Sequence, residues 1–137
     1  MKALNMVTIV WHPPPSNWLK VNIDGSALGV MGLAGSRGIF RTASGLPRGV
    51  FAFSIGHNFT FITELLVSIK AVEIAWDKGW HSLWLECNSI YVLHMFHTHS
   101  IRAQWEISQQ WMNCLHLVSQ MCFRISHQRG QFQWQMF

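Results

Sequence analysis

Leu19, Val21 and Ile23 alternate with Lys20, Asn22 and Asp24, the period of two expected of a strand with one apolar face. A glycine-rich turn holding Gly25, Gly29 and Gly32 follows, and a second strand is expected around Gly35 to Thr42. Ser44-Gly45-Leu46-Pro47 reads as a tight turn, and Gly49 to Ile55 as a third strand. Short turns between the three favour an antiparallel meander. The period then changes. Leu65, Ile69, Val72 and Trp76 recur at helical spacing, with Leu66 widening the stripe. Beside them run Glu64, Ser68, Ala71 and Ala75, whose small members let a helix lie close on a sheet. Asn58 or Thr60 is placed to cap this helix, and Gly79 to end it.

Ser82 to Cys87 predicts a fourth strand, and Asn88 or Ser89 starts a second helix running to about Phe96. Trp105 to Val118 predicts a third helix, with Trp111, Leu115 and Val118 on one face, and Cys122 to Ser126 a fifth strand. The long helix between strands three and four is a crossover, which sets strand four parallel to strand one. Ahead of all this, His12-Pro13-Pro14-Pro15-Ser16 can be neither helix nor central strand, because proline fixes φ and lacks a donor. Residues 1–16 therefore read as a stiff proline-rich leader and 17–137 as one domain. Within that domain 128–137 is an atypical tail, where Gln131, Gln133 and Gln135 alternate with Phe132, Trp134 and Met136.

Composition narrows the class. Of 137 residues half are apolar and 12% charged, which argues against disorder, and the net charge of +4 is compatible with a phosphate-bearing partner. Three cysteines without C-x-x-C spacing suggest neither a disulfide framework nor a zinc knuckle and fit a reducing intracellular compartment, nucleus or cytoplasm. No apolar run is long enough for a membrane span. His94, His97 and His99 lack a convincing fourth ligand and read as a polar helix face and loop. Trp76, Trp84, Trp105 and Trp111 fall at core spacing. Lys20, Arg37, Arg41 and Arg48 gather on the meander, where they form either phosphate contacts or a solvated sheet edge.

Taken singly, the polar residues have ordinary roles: Asp24 before Gly25 in a turn, Glu64 near a helix start, Asn88 as an N-cap. Together they form an ordered pattern. Trp11-x-Pro-Pro-Pro-x-x-Trp18-x-Lys20-x-Asn22-x-Asp24-Gly25-Ser26 resembles the opening of plant-type ribonuclease H-like domains, found in non-LTR retroelement polyproteins and as stand-alone plant proteins. Thr63-Glu64-Leu65-Leu66, Ala75 to Gly79, Leu83 to Ser89 and Phe123 to His127 resemble later stretches of that family in the same order. The resemblance covers about Trp11 to His127.

It implies an α/β fold with a five-stranded mixed sheet flanked by helices, and a cluster of carboxylates binding two Mg²⁺ ions to cut the RNA strand of RNA–DNA hybrids. Asp24 matches the first carboxylate and Glu64 the second, which makes them the catalytic and metal-binding candidates. Asn88 stands where the family has its third, an aspartate. The fourth belongs to a C-terminal helix that this sequence does not show, since no carboxylate follows Glu106. Gly25, Ser26, Arg37 and Arg41 are the candidate nucleic-acid contacts. Neither a small-molecule cofactor nor a membrane partner is expected. Three readings stand: a hybrid-cutting ribonuclease, an inactive nucleic-acid-binding module, and a decayed retroelement remnant.

Overall fold

The computed structural model describes residues 11–24, 34–56, 60–99, 107–128 and 133–136. The chain orders its elements as β1 (Leu19–Asp24), β2 (Ala34–Arg41), β3 (Pro47–Gly56), α1 (Thr60–Asp77), β4 (Ser82–Cys87), α2 (Ile90–Thr98), α3 (Ser108–Ser119), β5 (Cys122–His127) and β6 (Gln133–Met136). The sheet order is β3-β2-β1-β4-β5-β6. β1, β2 and β3 pair antiparallel, as the short turns require, while β1–β4 and β4–β5 are parallel. The five expected strands are thus present in the expected sense. A sixth is added, because the Gln-aromatic alternation of the tail forms an edge strand antiparallel to β5.

α1 makes the crossover. Its predicted stripe buries Leu65, Ile69 and Val72, and the neighbouring small residues Ser68, Ala71 and Ala75 are fully buried as well. Trp76 sits at the border, stacked on His81 at 4.3 Å between ring centroids. The C-terminus closes as a Schellman motif. Gly79, at φ +77°, donates to the Trp76 carbonyl, and Trp80 to that of Ala75. The start of the third helix differs from its periodicity: it begins at Ser108, and Trp105 lies outside the described residues.

One face of the sheet carries the core. Val21, Ile23, Phe40, Leu83, Leu85, Phe123 and Ile125 meet α1, Val92, Leu93 and Phe96 of α2, and Trp111, Cys114 and Val118 of α3. Gly38 belongs to this face because Phe51, its partner on β3, lies across it. A Cβ there would come within 2.5 Å of the Phe51 ring. Gly38→Ala is therefore expected to lower stability by about 1–3 kcal/mol, read as a lower urea midpoint at unchanged slope. Adding Phe51→Leu should recover part of the loss; an unchanged Gly38→Ala midpoint would contradict this packing.

The opposite face is also closed, by polar groups. Lys20 is fully buried, and its ammonium lies 3.9 Å from the Trp84 ring centre and 3.1 Å from Glu86 Oε2. Arg124 covers the same ring at 4.2 Å. The proline-rich segment packs here: Lys20 Nζ donates to the His12 carbonyl at 2.8 Å, and the Trp11 ring centre lies 5.6 Å from Nζ. Two expectations are corrected. Lys20 is no phosphate contact, being consumed inside the protein. Trp84 is buried outside the apolar core, between two cations.

Candidate functional site

The parallel ladder of β1 and β4 ends at the pair Asn22–Glu86, and positions 24 and 88 each follow two residues beyond it. Asp24 ends β1, with its backbone paired to Arg37 of β2. The Asp24 side chain, Gly25 and Ser26 lie outside the described residues. Arg37 is exposed at this rim, whereas Arg41 is half-buried and its Nη1 donates to the Gly45 carbonyl at 3.1 Å. Arg41 thus helps to fix the β2–β3 turn.

Glu64 approaches the same end of the sheet from above. It lies one turn into α1 and is only 7% exposed, with its carbonyl accepting from Ser68 Oγ at 2.8 Å. Its charge is felt at Cys87, the last residue of β4. Burial pushes the Cys87 thiol up to about 12, a hydrogen bond with the Ser89 backbone lowers it, and the carboxylates of Glu64 and Glu86 raise it further. Glu64 and the C-terminal end of β4 therefore share one electrostatic environment. Beside them on β5 stands buried His127, paired with Cys87.

Asn88 follows directly and is exposed in a bend. It does not cap α2. Ser89 does, with extended backbone (φ −115°, ψ 114°) and its hydroxyl accepting from the Val92 amide at 3.2 Å. A serine hydroxyl is short enough to fold back over its own helix start, so Asn88 takes no part in the cap.

The donor set can now be read. Glu86, on β4 near Asn88, is already occupied: Oε2 by Lys20, Oε1 by Asn22 Nδ2 at 2.8 Å, with Ser126 Oγ at 3.4 Å. Asn22 Oδ1 is buried without a hydrogen-bond partner. The Cys87 thiol stays protonated near neutrality and offers nothing to a hard ion. Glu73 faces Lys70 at 3.9 Å on the exposed side of α1, and Glu106 lies outside the described residues. Among the described residues no three His, Cys, Asp or Glu side chains converge as metal ligands. His94 and His97 are exposed on α2, and His99 closes that helix in the left-handed conformation.

The thiols give a direct check. Cys122 is exposed, whereas Cys87 and Cys114 are buried and their pKa values are raised by desolvation. At pH 8 a maleimide is expected to label one cysteine in native protein and three in denaturant. Because the folded Cys87 pKa exceeds its ordinary 9.0, this thiol favours the fold below pH 9. That contribution is lost as pH climbs toward about 12, so alkaline unfolding should begin in that window.

Three comparisons bear on this geometry. The reverse transcriptase-like family matches residues 22–132. An Arabidopsis thaliana protein named "Putative ribonuclease H protein" is 32% identical over 90 residues, which is 66% of this chain and 14% of that protein. The chain thus spans about one seventh of the length of that relative. Among solved structures, Halobacterium salinarum RNase H1 superposes with a TM-score of 0.65 at 19% identity, covering 80% of this chain and 83% of its own. LC11-RNase H1 in complex with an RNA/DNA hybrid gives 0.64 at 16% identity, over 82% and 88%. The fold is that of ribonuclease H, and among the described residues no helix is long and apolar enough to cross a membrane.

Proposed function

The chain belongs to the reverse transcriptase-like family, and from that premise we propose that it is a ribonuclease H-like domain that binds RNA–DNA hybrid with the hydrolytic step impaired. The C-terminal rim of β1 and β4 is the surface proposed to meet the hybrid. Asp24 and Glu64 are its acidic residues, and Arg37, Gly25 and Ser26 its contacts to the backbone.

One observation carries the impaired step: the carboxylate nearest to Asn88 on β4, Glu86, is held by Lys20 and Asn22. Two-metal hydrolysis supplies an activated water and a stabilised leaving oxygen when both ions are bound, and Mg²⁺ needs its charge matched by oxygen anions. Asp24 and Glu64 provide two such charges; Asn88 can lend a carbonyl oxygen without charge. This set does not fit a pair of Mg²⁺ ions. What remains to the chain's own residues is to grip and orient the nucleic acid. A reducing intracellular setting, nucleus or cytoplasm, suits the three free thiols.

The test pairs binding with turnover. Purified protein is expected to bind a labelled hybrid with an affinity that falls steeply with salt, each neutralised phosphate adding about −0.9 to the log–log slope. It should leave the hybrid intact in millimolar Mg²⁺. Absence of salt-sensitive binding would remove the nucleic-acid reading and leave the remnant. Cleavage at the rate of an intact ribonuclease H would instead restore the enzyme, with Asp24 and Glu64 as its ligands.

A further inference from the structure

At the end of β1 opposite the candidate site, Leu19 borders a concavity of about 460 Å³. We propose that it takes one unpaired nucleotide of a nucleic-acid strand, the base lying against tryptophan and the phosphate on Arg48; this rests on the nucleic-acid reading above.

The lining matches that ligand in size, shape and charge. The volume falls in the ordinary range of small-ligand sites, about 300–1,000 Å³. Trp18 and Trp80 line it and are both partly buried. Trp80 is held from behind, its ring centre 5.2 Å from that of Phe40 and its far edge over Gly49, where a Cβ would meet it at 3.6 Å. An aromatic fixed in this way is a stacking platform that pays little to be ordered. Arg48 is exposed, and among the described residues it has no hydrogen bond, ion pair or ring contact. No acidic residue lines the cavity, while Thr42, Ser44 and Asn17 bring polar side chains to it. Thr42 Oγ1 and Ser44 Oγ are 3.0 Å apart, with the turn pinned by the Leu46 amide on Thr42 Oγ1. A held aromatic beside an exposed guanidinium that is unpartnered among the described residues, with no carboxylate in the lining, favours a planar base carrying an anion.

The spacing is also suitable. From Leu19 to Asp24 the strand advances about 17 Å at about 3.3 Å per residue. A single-stranded overhang of about six nucleotides covers that distance even at the compact duplex rise of about 3.4 Å per nucleotide. Such an overhang is therefore at least as long as the straight line from the far rim to this cavity.

The experiment compares, by fluorescence anisotropy, a blunt RNA–DNA hybrid, the same hybrid with a six-nucleotide DNA overhang, and the hexanucleotide alone. The proteins are wild type, Arg48→Gln, and Lys78→Gln as an exposed-charge control. The overhang is expected to tighten binding on the order of tenfold. Arg48→Gln should abolish that advantage without weakening the blunt hybrid, and Lys78→Gln should preserve it. No overhang advantage, or equal losses in the two variants, would overturn the proposal. If blunt hybrid fails to bind at all, the rim reading falls separately. The cavity then stands only if the hexanucleotide binds and Arg48→Gln abolishes it; otherwise it falls too.

Discussion

Lys20→Met is expected to destabilise the protein by about 3 kcal/mol, the low end of the cost of removing one partner from a buried ion pair. The ammonium is 1% exposed and the Glu86 carboxylate 12%, so the residue left behind has little water to turn to. Two features keep the loss from being larger. Asn22 Nδ2 continues to donate to Oε1, and Ser126 Oγ, itself accepting from Trp84 Nε1 at 2.7 Å, stays within reach of Oε2. The urea midpoint should fall by roughly 1.5 M for a slope near 2 kcal/mol/M. Adding Glu86→Met should recover most of it, since two apolar chains of similar length can replace a buried pair at little cost. A single variant as stable as wild type would show that the pair contributes nothing. A double variant weaker than the single would show that the carboxylate serves other neighbours more than Lys20.

Asn88→Asp is expected to raise Mg²⁺-dependent hybrid cleavage on the order of 10²- to 10³-fold over wild type. The magnitude follows from the charge restored: if a missing ligand charge costs about 4 kcal/mol of transition-state stabilisation, the rate falls by about 10³. The side chain is exposed and takes no part in capping α2, so the substitution leaves the fold and the helix start intact. Mg²⁺ binding by calorimetry supplies a readout besides turnover and should tighten in the variant. If neither cleavage nor metal affinity changes, position 88 is not part of the site, and the mapping of Asp24 and Glu64 loses its third corner.

Much of this architecture is legible along the chain, for a physical reason. Alternation at Leu19–Asp24 and helical recurrence at Leu65, Ile69 and Val72 each report a face turned toward the core, and the crossover between them fixes the parallel pairing. The tail announces β6 through its Gln-aromatic alternation. The helix-free face is harder to read. Lys20, Asn22 and Glu86 look like solvent-facing positions, because a period of two says which residues share a face and nothing about what covers it. Only the three-dimensional meeting of Trp11, Trp84 and Arg124 around Lys20 reveals the buried network. The cap of α2 was ambiguous between two adjacent polar residues, and side-chain reach decided for Ser89. Of the site, Glu64 lies where its charge reaches Cys87 at the end of β4. The commitment of Glu86 elsewhere is visible only in the folded chain.

The hydrogen bond from Asn22 to Glu86 joins positions 64 apart in the chain, and the whole β1–β4 ladder shares that separation. Such a contact is slow to make, because the intervening segment must close a long loop before the pairing repays the lost entropy. During synthesis the meander and the crossover helix can assemble early, yet the centre of the sheet stays open until Cys87 has emerged. Until then β1 presents an unpaired edge to other chains. Refolding should accordingly run in milliseconds to seconds, and high protein concentration during that interval should divert the chain into aggregates before the central strands meet.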